Sequence, residues 1–533
     1  MTELLTGFVP FGEFMPDQRL LANGGLYRAE NVVPAHGDYV SSPALTRIVS
    51  VAEDLAFGLH VDQRSGHGYA GIGDDIYEVT EAGVVTPRSI AGGYPALPSA
   101  NGFWRGTSVG ANVVMTDYTE PVQYLASGAA LFANMITTTG ATGFAPRARH
   151  VFMLRQNLFL ANCFLPLAYD GLAAGANPTL IAWSQSGNIR AFGSARANPE
   201  LIGAGFQPLE YDLGSIRCAV GSSDYGIVGF SDGLVRVDGP PYTARVIVTG
   251  PGCLYPYGMC AAGDDVYLWG GAGLARLRGG EPPLEILGSG PPGKFHRFLT
   301  DNATGFSAHP VASVGLLDET EAAYVVSLAY DSVNDMLFVA YSENNDLYSK
   351  ALLAYNVRED RLSWFQLRHA SGDLLSQALF LCPGRQTTAS WAPGRDIRFL
   401  SSTGGISGEH FYSRLGLGNS FGPAVLGKGY MQLKAGAICR MRRIRPVYSV
   451  TDQVAIEQIT VHLEATTKPH LTPTIFGPYS TSDPNGWIVT PPPGPAGEFL
   501  APRFTIAANA AMHKMVEYQG FEFEAEIVGS SLA

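Results

Sequence analysis

The sequence predicts an all-β chain, folded as a β-propeller of about six or seven blades with a small β-sandwich-like region at its C-terminal end. Three observations lead there: a composition suited to short strands and turns, a hairpin signature that recurs, and a change of texture near residue 437. The composition is 46% hydrophobic, 11% aromatic and only 15% charged, with 63 Gly and 35 Pro in 533 residues. Gly or Pro interrupts most windows before a third helical turn could form, so helices are expected to be few and short.

Apolar runs of strand length, each bounded by turn residues, take the place of helical periodicity. They include Val113-Val114-Met115, Leu158-Phe159-Leu160, Ile227-Val228-Gly229-Phe230, Val266-Tyr267-Leu268-Trp269, Leu337-Phe338-Val339-Ala340-Tyr341 and Ile397-Arg398-Phe399-Leu400. A repeat overlies them. Gly73-Asp74-Asp75-Ile76-Tyr77 runs on to Ala82-Gly83, and Gly263-Asp264-Asp265-Val266-Tyr267 runs on to Ala272-Gly273 with the same spacing. Fainter copies are Gly394-Arg395-Asp396-Ile397 with Gly404, Gly110-Ala111-Asn112-Val113-Val114, and Ser223-Asp224-Tyr225-Gly226-Ile227 with Asp232-Gly233-Leu234. Each reads as a turn, a strand, a second turn and another strand. Hairpins recurring every 40–50 residues or so are what radial four-stranded blades produce. The repeat covers about residues 45–420, with apparent insertions at 166–179 and 281–323.

The expected organisation is an N-terminal extension or interface segment over 1–44, a propeller over 45–436 and a C-terminal β-rich domain over 437–533. In the last, Arg440, Arg442, Arg443 and Arg445 cluster, a strand follows at 456–465, and Pro491-Pro492-Pro493 marks a loop. Gly520-Phe521-Glu522-Phe523-Glu524-Ala525-Glu526-Ile527 alternates apolar and acidic residues, as in a strand with one buried and one wet face. These terminal strands either form a sandwich-like appendage or return to close the ring. The Arg440–Arg445 cluster is a candidate interface or a solvated strand edge.

The formal net charge of -12 argues against binding DNA by counterion release, although an acidic wall suits DNA that must slide without sticking. So few charges also leave much surface to be covered by other subunits. The first residues carry no basic and apolar leader pattern, and no apolar stretch reaches membrane-spanning length, so a soluble, unexported chain is expected. Cys163, Cys218, Cys253, Cys260, Cys382 and Cys439 form no C-x-x-C pair and are expected to be buried free thiols.

Several patterns match catalytic signatures without their context. Gly106-Thr107-Ser108-Val109-Gly110 has nucleophile-elbow spacing, but the residues after it read as a strand where an elbow needs a helix, so Ser108 is expected to be a turn serine. Gly288 to Gly293-Lys294 has P-loop spacing, yet Phe295 follows and Pro291-Pro292 removes two N–H groups. Gly66-x-Gly68-x-x-Gly71 lacks a βαβ unit. Asp74, Asp75, Asp264 and Asp265 are turn formers. His67, His296 and His410 are isolated and show no metal spacing. No catalytic, cofactor-binding or metal residue is assigned. Ser222-x-Asp224-x-Gly226 is similar to a sialidase Asp-box, which leaves a propeller glycosidase of sialidase type as the alternative; Val228-Gly229 stands where the box ends in Thr-Trp.

A resemblance covers nearly the whole chain in scattered short motifs. Pro10-Phe11-Gly12-Glu13-Phe14, Pro16-Asp17, Leu21-Ala22-Asn23-Gly24-Gly25-Leu26, Ala29-Glu30-Asn31-Val32-Val33-Pro34, Gly37-Asp38-Tyr39 and Pro43 resemble the opening of a family of phage structural proteins. Phe14 stands where that family carries Trp. Looser matches follow at Asn112–Asp117 with Pro121–Tyr124, at Ile181–Ser184, at Tyr330-Asp331 with Asn334-Asp335 and Tyr341, and at Ala354–Asn356 with Trp364. His513-Lys514 and Gly520–Ala525 look like the family's closing strand.

The family comprises tail nozzle or hub components similar to the tubular protein B of short-tailed phages. The resemblance implies a propeller body and a ring of about six copies, a homo-hexamer, below the connector. It implies connector or adaptor ring proteins, tail fibres and other tail proteins as partners. Double-stranded DNA would pass through the channel without sequence-specific binding. The site of action would be the virion tail, assembled in the host cytoplasm, with no enzymatic activity and no cofactor. A DNA-stabilisation plug, or a peripheral adaptor or receptor-binding protein, is the other reading within phage structure.

Overall fold

The computed structural model describes residues 3–18, 23–35, 37–42, 44–94, 103–135, 145–193, 203–250, 252–270, 273–289, 294–296, 299, 326–341, 351–366, 377–385, 397–402, 409–416, 424–450, 456–467, 473–480, 486–508 and 516–530. These residues form 41 β-strands, and a turn of helix at His296 and Leu299 is the exception among them. The chain is all-β and is divided into many small sheets.

Seven antiparallel units follow one another. Sheet 1 is Ala56–Val61, Gly68–Ile72, Asp75–Val79 and Val85–Pro87. Sheet 2 is Arg105–Val109, Asn112–Thr116, Gln123–Leu125 and Ala133–Asn134. Sheet 3 is Arg147–Leu154, Asn157–Leu165, Gly175–Gln185 and Asn188–Phe192, with Gly205–Pro208 added to its third strand. Sheet 4 is Ile216–Gly221, Tyr225–Phe230, Gly233–Asp238 and Thr243–Thr249, and sheet 5 is Met259–Ala262, Asp265–Gly270, Gly273–Arg278 and Glu281–Ile286. Sheet 6 is Val326–Asp331, Met336–Tyr341, Ala351–Asn356 and Arg361–Gln366. Sheet 7 is Gln377–Pro383, Ile397–Ser402 and Glu409–Gly416, and its fourth strand, Ala44–Glu53, comes from the other end of the chain.

The first strands of these units touch in a closed circuit. Ala56–Val61 touches Arg105–Val109, contact passes in order through the first strands of sheets 3 to 7, and Gln377–Pro383 returns to Ala56–Val61. Apolar clusters fill the spaces between neighbours. One joins Ile76 and Tyr69 of sheet 1 to Trp104 and Val113, another joins Phe159 of sheet 3 to Val228 of sheet 4, and a third joins Tyr412 and Leu400 of sheet 7 to Ala70 of sheet 1. This packing explains the apolar runs in the sequence. All six fall on second strands, which are buried on both faces, as in Tyr225–Phe230 and Met336–Tyr341; fourth strands such as Thr243–Thr249 and Glu281–Ile286 are largely wet.

The repeated hairpin signature has a narrower meaning than its spacing implied. Gly73-Asp74 joins the second and third strands of sheet 1, whereas Gly263-Asp264 joins the first and second strands of sheet 5. The motif therefore marks one kind of two-residue turn at non-equivalent places. Gly73, Gly110 and Gly263 all have φ near +60°, at 61°, 60° and 62°, which is the conformation such a turn asks of its first residue. The fainter copy at Gly394–Asp396 with Gly404 lies outside the described residues. Two presumed insertions shrink: Gly175–Gln185 and Glu281–Ile286 are strands.

Two larger sheets join the ends of the chain. A seven-stranded sheet combines Leu4–Pro10, Val32–Ala35 and Asp38–Ser41 with Ala437–Val450, Ile488–Val489, Ala496–Gly497 and Val516–Ser530. Sheet 6 extends through Leu26–Glu30 into Ala424–Lys428, Phe499–Ala508, Ile456–Thr466 and Thr474–Ser480, making nine strands in all. Phe11, Phe504 and Phe521 meet in one core, with centroids 5.9, 6.0 and 5.3 Å apart. The N-terminal segment is thus woven into the C-terminal strands, and the strand that completes sheet 7 is N-terminal.

Candidate functional site

Three places concentrate unusual chemistry. The first is the seam where the N-terminal motif meets the rest of the chain. Phe11 and Phe14 are buried, and the Phe14 N–H donates to the Tyr39 hydroxyl at 2.8 Å. Asn23 closes the turn, its amide donating to the Met15 carbonyl at 2.8 Å and its Oδ1 accepting from Gly25 N–H at 2.9 Å. Gly25 passes so near the Glu13 carbonyl that a Cβ would sit 2.1 Å from it. Lys428, on Ala424–Lys428, donates from Nζ to the carbonyls of Pro10 (3.1 Å), Phe11 (3.2 Å) and Gly24. Burial pulls that ammonium down to about 8, while the three carbonyls hold its proton. The motif residues therefore do structural work. Leu21-Ala22, Pro43 and His513-Lys514 lie outside the described residues.

The second place is the outer face of the seven-stranded sheet. Ala437–Val450 is an interior strand, flanked by Val516–Ser530 on one side and by Ile488–Val489 and Ala496–Gly497 on the other. The arginine cluster is accordingly no strand edge. Its members form a cross-strand ladder with the acidic residues of the closing strand: Arg445–Glu522 at 2.7 Å, Arg443–Glu524 at 2.5 Å, Arg440–Glu526 at 3.3 Å and Arg442–Glu526 at 2.7 Å. Arg443 and Arg445 also lie over the Trp487 ring, at 4.5 and 4.9 Å. Beyond the ladder runs Leu4–Pro10, paired only with Val516–Ser530 among the described residues, and it turns Leu4 (51% exposed) and Phe8 (52%) outward. The far end of the nine-stranded sheet is Thr474–Ser480, with Ile475 at 59%.

The third place is the centre of the circuit of first strands. Arg105 begins the first strand of sheet 2, and its guanidinium rests on the Tyr257 ring at 4.2 Å. Its charge is felt at His60, His150, Cys218, Tyr257 and Cys382, which belong to sheets 1, 3 and 4, the lead-in to sheet 5, and sheet 7. Its contact with Tyr257 joins the first strand of sheet 2 to the lead-in to sheet 5 across the circuit. Below it Tyr257, Phe103 and Phe380 pack together, with centroid distances of 6.1 and 4.8 Å from Tyr257, and the Tyr257 hydroxyl donates to the Trp104 carbonyl. These rings fill the axis at that level.

Ser108 lies near this axis. It is a strand residue opposite Val113, not a turn serine, and its Oγ is 2.9 Å from His60 Nε2. Sequence reasoning missed that pairing because 48 residues separate the two. Burial pulls the His60 imidazole down to about 4, which makes it a weak base at neutral pH. Burial raises the Asp62 carboxyl, but hydrogen bonds from Ser65, Arg64 and Ser108 outweigh it and hold the group below the usual carboxylate range. Asp62 thus bonds to the serine and its own turn. A strand, Asn112–Thr116, follows Ser108 where an elbow requires a helix.

The remaining sequence candidates are scattered. Gly66-x-Gly68-x-x-Gly71 is a turn and strand in which Gly71 packs on Trp104, and Gly290–Gly293 of the P-loop-like run lies outside the described residues. Lys294 bridges Glu13 (3.2 Å) and Asp360 (2.8 Å). Asp224 is an exposed loop residue 3.6 Å from Arg155. His67 is not isolated: Nδ1 lies 2.7 Å from Glu78, a buried carboxylate that also accepts from Arg88 and Tyr69. His410 Nε2 bonds the Asp54 carbonyl at 2.5 Å. Five cysteines are buried and Cys382 is partly exposed, all as free thiols. Among the described residues no group of three or more His, Cys, Asp or Glu side chains could hold a metal, and no helix is long and apolar enough to cross a membrane.

No known protein family matches the chain, and no curated protein does. Solved structures with some similarity include the computationally designed Ika8 protein, at 11% identity and TM-score 0.38 over 69% of this chain and 99% of that one. YCF48 bound to D1 peptide gives 12% identity and TM-score 0.38 over 72% and 97%, and the Mitotic Checkpoint Complex gives 9% and 0.38 over 70% and 90%. Likeness at this level carries no argument about what the chain does.

Proposed function

We propose that the seven units are the blades of a β-propeller closed by Ala44–Glu53, that the two terminal sheets form a sandwich against it, and that the chain is a structural subunit of a phage tail nozzle. Copies form a closed ring of about six below the connector, and their loops line and gate the DNA exit channel. The observation that carries this reading is the pair of wet apolar edges, Leu4–Pro10 with Leu4 and Phe8, and Thr474–Ser480 with Ile475. A cyclic ring above a dimer needs two different surfaces on each copy, one meeting the other on the next, and unpaired sheet edges are ready templates for such contacts. The occupant of each edge is a second copy of this chain.

The axis of each propeller is filled by Tyr257, Phe103 and Phe380, so DNA runs outside the blades, along the wall that the ring makes. The glycosidase reading is less favoured. Its nucleophile would be an accessible carboxylate or tyrosine, and Tyr257 is buried, with burial pushing its hydroxyl up to about 12.

The test uses Phe8→Lys and Ile475→Lys, which place a charge on each outward face without touching the core. Both variants are expected to fold alone and to be excluded from assembled particles, while Val84→Lys, at an exposed position in the turn between Asp75–Val79 and Val85–Pro87 of sheet 1, is incorporated. Incorporation of all three at the wild-type level would refute the edge-to-edge ring.

A further inference from the structure

Sheet 4 and the segment that leads from it to sheet 5 bring two free thiols together. Cys218 stands on the first strand of sheet 4, Ile216–Gly221, opposite Gly229 of Tyr225–Phe230. Cys253 lies between Thr243–Thr249 and Met259–Ala262 and forms a bridge with Gly270 on the second strand of sheet 5. A Cβ on Gly229 would stand 2.4 Å from Cys218 Sγ and 3.1 Å from Cys253 Cβ, so the two side chains meet in the space that the missing side chain leaves. Both are fully buried in one apolar cluster with Ile227, Val266 and Leu268. The other four cysteines belong to different clusters.

The surroundings of the pair decide what it can do. Cys253 Sγ is 3.5 Å from the carbonyls of Tyr255, Gly258 and Trp269, and its single proton can go to only one of them at a time. Burial, followed by a hydrogen bond with the Cys253 thiol, pushes the Cys218 thiol well up. These are not the exposed, electropositive surroundings of a catalytic thiolate. A disulfide suits the same place better: it carries no charge, needs no proton acceptor, and joins side chains that are already adjacent, since bonded cysteines keep their Cβ atoms about 3.5–4.5 Å apart.

We propose that Cys218 and Cys253 are an oxidation site, at which hydrogen peroxide converts the pair into a disulfide that staples sheet 4 to the lead-in to sheet 5. One sulfur attacks the peroxide, the O–O bond breaks, and a sulfenic acid and one water form. The second sulfur then attacks the sulfenic sulfur, the S–O bond breaks, and the S–S bond and a second water form. Two electrons pass from the sulfurs to the peroxide, and both thiol protons leave in the waters. The staple closes within one chain and is independent of the ring. It holds the seam where the first strands of sheets 4 and 5 touch.

The experiment exposes the reduced full-length chain to hydrogen peroxide, alkylates the remaining thiols in denaturant, and maps the digested peptides without reductant. The expected result is the loss of two of the six free thiols, one link per chain joining the Cys218 and Cys253 peptides, and recovery of both thiols with dithiothreitol. In the oxidised form, amide exchange in Tyr225–Phe230 and Gly233–Asp238, which lie between the linked residues, should slow at least about tenfold, because the cross-link restricts local opening. Cys218→Ser leaves Cys253 without a resolving partner, so no link forms and Cys253 goes on to the sulfinic acid. Cys163→Ser keeps the link. Should Cys218→Ser fail to fold by circular dichroism, Cys218→Ala takes its place, and the wild-type peptide map decides the matter by itself. Retention of all six thiols at a dose that oxidises small-molecule thiols to completion would overturn the proposal. So would a link between any other pair of cysteines, or equal exchange of sheet 4 in the oxidised and reduced forms.

Discussion

Replacing Lys428 with Met should release the N-terminal motif from the body of the protein. The ammonium donates to the carbonyls of Pro10, Phe11 and Gly24, and hydrogen bonds from a charged donor contribute about 1.5–3 kcal/mol each. Methionine fills a similar volume but leaves those carbonyls without this donor. Against that loss stands the relief of burying a charge, visible in the fall of the Lys428 pKa to about 8. Taking the lower end for each bond and setting against it a relief of roughly 3 kcal/mol, the net loss is about 1–2 kcal/mol. Because unfolding of so large a chain need not be two-state, the local quantity to measure is amide exchange. At about 1.4 kcal/mol per tenfold, protection of peptides within residues 4–18 and 23–30 should fall by roughly 5-fold to 30-fold. Peptides from sheets 3 and 4 should not change. Equal exchange in wild type and variant over 4–18 would show that Lys428 is not the lock this geometry describes.

Gly71→Ala should destabilise by about 1–3 kcal/mol in denaturant titrations, since the new Cβ would stand 2.0 Å from Cδ1 of buried Trp104. Gly24→Ala, with nothing within 4 Å, is the matched control and should be close to neutral. Burial raises the Asp117 carboxyl to about 6, so the folded state holds a proton that the unfolded state has already released between about pH 4 and 6. Stability from this group therefore falls as pH rises through that window, by up to about 3 kcal/mol, and Asp117→Asn should remove the fall. His60 acts in the opposite sense: its folded value near 4 lies below the unfolded one, so stability is lost as pH drops from about 6.5 towards 4. The wild-type-minus-Asp117→Asn difference in melting across pH 4–7 checks the sign, and a flat difference would refute it. Ser108→Ala should leave ester and glycoside hydrolysis at the solvent background, and saturable turnover lost in that variant would revive the serine site.

The strand content and the apolar runs that mark second strands were legible because both rest on local patterns. A second strand buried on both faces must be a continuous apolar run, and Ile227–Phe230 or Leu337–Tyr341 announces one without any tertiary information. Turn glycines such as Gly73 and Gly263 were visible for the same reason, although the places of their strands within each unit were not. What escaped was everything set by long-range closure. Nothing local in Ala44–Glu53 marks it as the partner of Glu409–Gly416, and nothing near Phe11 points to Lys428. The arginines at 440–445 read as either an interface or a solvated edge because their counter-charges, Glu522, Glu524 and Glu526, lie some eighty residues away, at separations of 77, 81 and 86.

Averaged electron-microscopy images of the intact particle test the proposed closed ring around the DNA exit channel most directly. The expected result is a ring of about six copies immediately distal to the connector, with propellers set around the channel and the Leu4–Pro10 edge of each copy against the Thr474–Ser480 edge of the next. Density for the chain in the capsid shell or on peripheral fibres, or copies placed about the channel without contact through those edges, would contradict it.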